Sequence, residues 1–443
     1  MWKHALLFLY SCGILYIYID ISLIYWGNLV RKALKRIARN KVSINFVIIG
    51  AVASLQAVNA IILGRLLSKG EFGFYSFLFT SIVPLVSTVV IFGQNVSVVR
   101  YFSNKDLSKY NWKTYYRNVT CLFAFLIIIL TSGISFFYKL DRQHYIFLSL
   151  AIFSAASLAF SSSFLRAKKR YIASILVERA SPPIFIVMIL IGLSLGRTGF
   201  YNFTVMKTIS YAAAFLAVMF LFLFREKSGS EVVKRNIYAD GVLLWAIGLT
   251  LIAINRVDGF FIARFLNYEL LALYSAVFVL VQVYDFAAQA IWSVYSQRFS
   301  DDYNARAGKF SLILIIISLA ITSFYAIFGK WLLTALFKGK YDAGSHLLLP
   351  FCVIGILKVV YMYPACYLVG KSSTTSLKTF LNFNIAGVLL KIVMITILIK
   401  HYGLAGVVLS GIIVWGFRNI VGYYIVYKDK RKKKANRMPN TER

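Results

Sequence analysis

Residues 241–266 read GVLLWAIGLTLIAINRVDGFFIARFL. A helix of roughly 20 apolar residues, rising about 1.5 Å per residue, crosses the ~30 Å hydrocarbon core of a bilayer. This stretch is long enough, yet it carries Asn255, Arg256 and Asp258 well inside its apolar run. A charge near the bilayer centre costs about 2.5–3.5 kcal/mol on insertion scales. Such groups are kept where they face a protein interior or a water-filled cavity. The stretch therefore reads as a membrane-crossing helix that turns polar groups inward.

The same reading extends outward from it. Of 443 residues, 60% are hydrophobic, and the mean hydropathy is +0.73. A soluble chain of this size carries more charge and lacks such long apolar runs. A barrel would show alternating segments of about 10 residues, and these runs are continuous. The expected fold class is an all-α polytopic membrane protein.

Twelve apolar runs fall near 42–64, 75–99, 118–138, 145–165, 171–195, 202–224, 241–266, 271–297, 310–333, 345–369, 376–400 and 404–427. Alternate connections are rich in Lys and Arg, beginning with the stretch before the first run and including 100–117, 166–170 and 225–235. The positive-inside rule then puts both ends of the bundle in the cytoplasm. It also accounts for most of the net charge of +33, with no nucleic-acid partner required.

Residues 1–27 are apolar and read as either an extra crossing or a mis-assigned start, with translation beginning at Leu29 or Val30. Residues 28–41 form a basic amphipathic helix suited to an anionic membrane surface. The tail, 428–443, is strongly basic and reads as disordered.

The connection 225–240 divides the runs six and six. Val58, Arg65, Leu67, Tyr75 and Ser76 recur at one constant offset as Val257, Arg264, Leu266, Tyr274 and Ser275, and Asn59 answers Asp258. An even number of crossings per half gives both halves the same orientation, related by an axis along the membrane normal. Two six-helix lobes, 42–224 and 241–427, are expected to face a central cavity.

No phosphate loop, zinc-protease signature or Ser/His/Asp arrangement is present. The four cysteines and four histidines show no metal-ligand spacing. The chain reads as a non-enzyme without a cofactor.

The functional signal is charge within the runs. Arg256, Lys358 and Lys391 are the deepest cations; Lys207, Arg179 and Arg418 lie nearer run ends. A lumen lined by these groups suits an anion, because ammonium and guanidinium both hold phosphate oxygens. The acids within runs are Glu178, Asp258 and Asp285, which either balance nearby cations or take up a proton or cation in a coupled cycle. Polar lining is expected from Asn59, Asn255 and a stripe at helical spacing: Gln282, Asp285, Gln289, Ser293 and Ser296. Pro182 and Pro183 should break the fifth run.

Residues 63–104 carry Arg65-Leu66-Leu67, then Glu71-Phe72-Gly73-Phe74-Tyr75, Gly93 and Arg100-Tyr101. This pattern resembles the bacterial polysaccharide-exporter branch of the multidrug/oligosaccharidyl-lipid/polysaccharide flippase superfamily. The resemblance implies a flippase that carries undecaprenyl-diphosphate-linked oligosaccharide units across the bacterial inner membrane by alternating access. Its product would be O-antigen, capsule or a related polysaccharide. A polysaccharide polymerase would be a partner, and a proton or sodium ion a coupling species.

Two other classes compete. A drug/cation antiporter of the same superfamily needs an acidic cavity, against the excess of intramembrane Lys and Arg here. A membrane glycan polymerase needs a large outer loop, and none of the connections is long enough.

Overall fold

A computed structural model of the protein describes residues 41–102, 105–220, 226–233, 237, 241–298, 307–371 and 374–435. The apolar segment 1–27, most of the basic stretch 28–41 and the last tail residues, 436–443, lie outside them. By internal contacts the chain divides into 1–50 and 51–443. Of the first unit only 41–50 is described, as the start of a helix.

The chain order is α1 (Lys41–Leu66), α2 (Lys69–Ser76), a π-helical segment (Phe77–Ile82), α3 (Val83–Ile91) and α4 (Gln94–Phe102). Then come α5 (Trp112–Tyr138), α6 (Arg142–Ala167), α7 (Tyr171–Glu178), α8 (Ser181–Ser194) and α9 (Phe200–Val218). The remainder is α10 (Val242–Phe265), α11 (Tyr268–Val281), α12 (Val283–Arg298), α13 (Ala307–Phe337), α14 (Leu348–Lys371) and α15 (Thr374–Ala435). Among the described residues there is no strand, only an isolated bridge between Tyr110 and Glu231. Seven of the described helices are long and apolar enough to cross a membrane, or up to nine if each bent pair is one span. The chain is an all-α, multi-pass membrane protein.

Helix ends follow local chemistry. Ser68 and Glu71 form a reciprocal capping box that starts α2. Asn111, Asp141 and Asn267 cap α5, α6 and α11 through their side-chain oxygens. Gly403, at φ 54°, interrupts α15 between the two runs expected there.

The fifth run breaks where the paired prolines predict. Helices α7 and α8 meet at a 40° bend, with Pro182 and Pro183 in the first turn of α8, where a missing N–H costs nothing. The eighth run also bends, by 51°, between α11 and α12. This bend falls at Gln282, the first member of the expected polar stripe, and leaves the other four on α12. The side chains of Ser293 and Ser296 lie outside those described.

The first part of the tail, 428–435, departs from the expected disorder. Helix α15 continues through Lys428 to Ala435. Lys and Arg are good helix formers, and the extension is tied down: Tyr367 donates to Asp429 and Lys430 to Tyr363, each at 2.9 Å.

Small residues set the packing. Helix α6 buries Ala151, Ser154, Ala156, Ser157 and Ser161 and packs on α3, α4, α5, α7 and α9. Small side chains let membrane helices approach closely where no water drives them together. Helices α14 and α15 pack on each other and on α13, α12 and α10. Between these groups α2 packs on α11, and a Cβ added at Gly73 would lie 1.7 Å from the Tyr268 carbonyl oxygen.

Candidate functional site

A cavity with about 420 Å³ of empty space, open solvent at its mouth included, lies among α10, α11, α12, α14 and α15. Its polar lining is Asn255 and Asp258 from α10, Tyr274 from α11, Asp285 from α12, Lys358 from α14 and Lys391 from α15. Phe278, Phe351 and Trp415 supply aromatic walls. Asn255 and Asp258 reach it together because positions three apart on a helix share a face.

The two lysines and two acids form two ion pairs. Lys391 Nζ lies 2.8 Å from Asp258 Oδ1, and Lys358 Nζ lies 2.7 Å from Asp285 Oδ1. Both lysines are buried, Lys391 at 1% exposure and Lys358 at 6%. Burial of an unpaired ammonium would be prohibitive, and the carboxylates meet that need. Tyr274 donates to Asp258 Oδ2 at 2.7 Å, and Lys391 donates to Ser410 Oγ at 3.0 Å. An ammonium has three N–H donors. Each lysine thus retains donor capacity toward a ligand with phosphate-like oxygens.

The other expected site residues are dispersed. Arg256, on the same helix as Asp258, does not line this cavity; its guanidinium carbon lies 6.0 Å from the Phe278 ring centre. Arg179 donates to Gln289 at 3.1 Å, joining the α7–α8 bend to α12. Glu178 pairs with Arg166, whose Nε also donates to Ser174. Lys207 is buried over the rings of Phe185 and Tyr211 and reaches Ser181 at 3.4 Å. Asn59 donates to the Pro182 carbonyl at 3.2 Å. Gln282 sits at the α11–α12 bend. Arg418 occupies a separate cleft with Tyr361 and Asn384. The expected cationic lumen is therefore, in the described cavity, a balanced set of two lysines and two aspartates.

Tyr274, Ser410 and Trp415 were not expected at the site. Only Tyr274 had a signal, as a repeated position answering Tyr75. Among the described residues no group of His, Cys, Asp and Glu is placed to hold a metal ion.

A family model described as "Polysaccharide biosynthesis protein" matches residues 62–344. No curated protein matches the chain. Among solved structures, the fold is similar to a lipid II flippase MurJ in an inward closed conformation, with a TM-score of 0.66 and 14% identity. That match covers 87% of this chain and 87% of that one. It is also similar to an outward-facing multidrug resistance MATE family transporter of the MOP superfamily, with a TM-score of 0.62 and 16% identity. There the coverage is 90% of this chain and 96% of the other. At such identities the likeness shows the fold alone.

Proposed function

Because this chain belongs to the polysaccharide biosynthesis protein family, we propose that it is a flippase for lipid-linked oligosaccharide. Its substrate is an undecaprenyl-diphosphate-linked repeat unit, moved from the cytoplasmic to the outer leaflet of a bacterial inner membrane. The product feeds O-antigen, capsule or a related surface glycan, with a polysaccharide polymerase acting on the delivered units. The chain works as two six-helix lobes with cytoplasmic ends, and access alternates by rocking of one lobe against the other.

The observation that carries this reading is the presence of two buried lysines, Lys358 and Lys391, on the wall of one cavity. A diphosphate entering that cavity competes with Asp258 and Asp285 for the ammonium groups. Exchange of one anionic partner for another leaves neither lysine unpaired, which keeps the cost of loading small. The displaced carboxylates become the natural place for a coupling proton or sodium ion.

A drug/cation antiporter would instead use the two aspartates to hold its cargo, and in the resting cavity both are already occupied by lysine. The two readings separate in cells. Deleting the gene should accumulate diphosphate-linked oligosaccharide on the inner leaflet and abolish the surface glycan. Lys358→Ala and Lys391→Ala should insert in the membrane but fail to restore export. Normal glycan without accumulation would overturn the flippase reading and favour the antiporter. Short units still reaching the outer face would point to a polymerase.

A further inference from the structure

Arg418 is buried, at 3% exposure, in a narrow cleft with about 200 Å³ of empty space, open solvent included. Its guanidinium carbon lies 4.3 Å from the Tyr361 ring centre and 4.4 Å from that of Trp415. One nitrogen, Nη2, donates to Asn384 Oδ1 at 2.8 Å. Asn384 is itself fixed, donating to the Phe380 carbonyl at 2.9 Å. Nε and Nη1 are buried without a hydrogen-bond partner among the described residues, and no described carboxylate pairs with Arg418.

This arrangement differs from the two lysine pairs. A guanidinium carries five N–H donors, and here one nitrogen of three is satisfied. Ring faces attract the cation but accept no N–H in the guanidinium plane. An unpaired buried charge is strongly unfavourable, so the cluster leaves its donors open to an anion. The flat, polarisable guanidinium matches phosphoryl oxygens.

We propose that the Arg418 cleft is a second binding site, separate from the Lys358–Lys391 cavity, for the phosphoryl group of a membrane lipid. The rim of the cleft is apolar and half-buried, formed by Phe383, Phe417 and Val421. The neighbouring Ile420 is 74% exposed. In a membrane protein such a rim faces acyl chains, so the ligand arrives with a hydrocarbon tail. Trp415 lines the Lys358–Lys391 cavity, and its ring also packs against the Arg418 guanidinium, which places it between the two sites.

Depth indicates which lipid. Arg418 lies about 15 Å along α15 from Lys428, at ~1.5 Å per residue. With Lys428 taken at the headgroup boundary, that is about half the ~30 Å hydrocarbon core, deeper than the run-end position read from the sequence. A resting phospholipid keeps its phosphate in the headgroup layer, so this depth suits a phosphate in transit. The choice of a polyprenyl carrier rests on the flippase reading; the phosphoryl site itself does not.

The test uses the full chain, purified in phosphatidylcholine nanodiscs, with lipid adducts counted by native mass spectrometry. The probes are undecaprenyl phosphate, phosphatidylglycerol and inorganic phosphate. Wild type should retain undecaprenyl phosphate. Arg418→Gln should weaken retention roughly tenfold or more, the loss expected for a charge-assisted hydrogen bond. Val421→Phe, which fills the cleft while leaving Arg418 in place, should do the same with unchanged thermal stability. The exposed Lys330→Ala should bind as wild type. Arg418-dependent retention of phosphatidylglycerol alone would support the site and assign it to a resting lipid. Equal retention by wild type and both cleft variants would overturn the proposal, as would binding of inorganic phosphate alone. Because the readout is binding, it fails or stands apart from transport: Arg418-dependent adducts without export would reject only the flippase reading.

Discussion

Lys391 holds its ammonium 2.8 Å from the Asp258 carboxylate, and Tyr274 donates to the other carboxylate oxygen at 2.7 Å. Three helices, α10, α11 and α15, thus converge on one buried charge. Removing one partner of a buried pair typically costs about 3–5 kcal/mol, because the other charge stays desolvated and alone. Lys391→Met should therefore lower the thermal midpoint of the purified protein sharply. Lys391→Met combined with Asp258→Leu should recover most of that loss. Thermal unfolding in detergent measures both; equal losses in the single and double variants would show that the pair is not the source.

Gly73 lets α2 lie against α11 with a Cβ-to-oxygen separation of 1.7 Å at Tyr268, which no real side chain permits. Gly70, on the same helix, has open space around it. Gly73→Ala should force the helices apart and reduce the folded, membrane-inserted fraction. Gly70→Ala should be close to neutral, and slightly favourable by helix propensity, about 0.8–1.0 kcal/mol for Gly against Ala. Fluorescence-detected size-exclusion profiles of the two variants distinguish the cases.

The ends of α1 and α13 cap each other. Arg65 donates to the carbonyls of Leu336 at 2.5 Å and Ala335 at 2.8 Å. In return Lys340 donates to the carbonyls of Leu67 and Gly64, and Tyr341 to Gly64 at 3.2 Å. Basic side chains at helix C-termini satisfy the last carbonyls and oppose the helix dipole. If the transport cycle separates these ends, a short bismaleimide joining Leu67→Cys to Lys340→Cys should stop export, and the uncross-linked double variant should work. Undiminished export by the cross-linked protein would show that the contact stays closed throughout.

Asp141 caps α6 outside the membrane-spanning segment. The His144 backbone N–H donates to it at 2.8 Å and, as the main cause, holds its carboxyl below the usual range. With the folded-state value depressed, the cap contributes fully above the unfolded value, about 3.9. It is lost as pH falls through the lower folded value. Asp141→Ala should cost about 1 kcal/mol, and Asp141→Asn should retain most of the cap while removing its acid sensitivity. Hydrogen exchange at the first turn of α6, followed between pH 3 and 7, reads this directly.

Much of the fold was legible because a bilayer allows few solutions for the backbone. Long apolar runs became helices, and Pro182-Pro183 placed the α7–α8 bend. The bend at Gln282 carried no such mark, since no proline or glycine stands there. At the site, three-residue spacing placed Asn255 beside Asp258 on one face. It could not show that Lys391 answers Asp258 or that Lys358 answers Asp285, because those partners meet only when α10, α12, α14 and α15 assemble. The same limit hid the isolation of Arg418, which in sequence looks like any other cation near a run end. The helix over 428–435 was missed because composition alone ignored its anchoring through Tyr363 and Tyr367.

As proposed above, this chain moves a diphosphate-linked glycolipid through the cavity walled by Lys358 and Lys391. The most direct measurement places the purified protein in liposomes with a labelled undecaprenyl-diphosphate oligosaccharide and follows its exposure to an impermeant reagent. Equilibration between leaflets is expected, slowed roughly tenfold or more, about 1.4 kcal/mol or above, by Lys358→Ala or Lys391→Ala in folded protein. A substrate that stays in its original leaflet, while a cationic dye is exchanged for protons by the same liposomes, would contradict it.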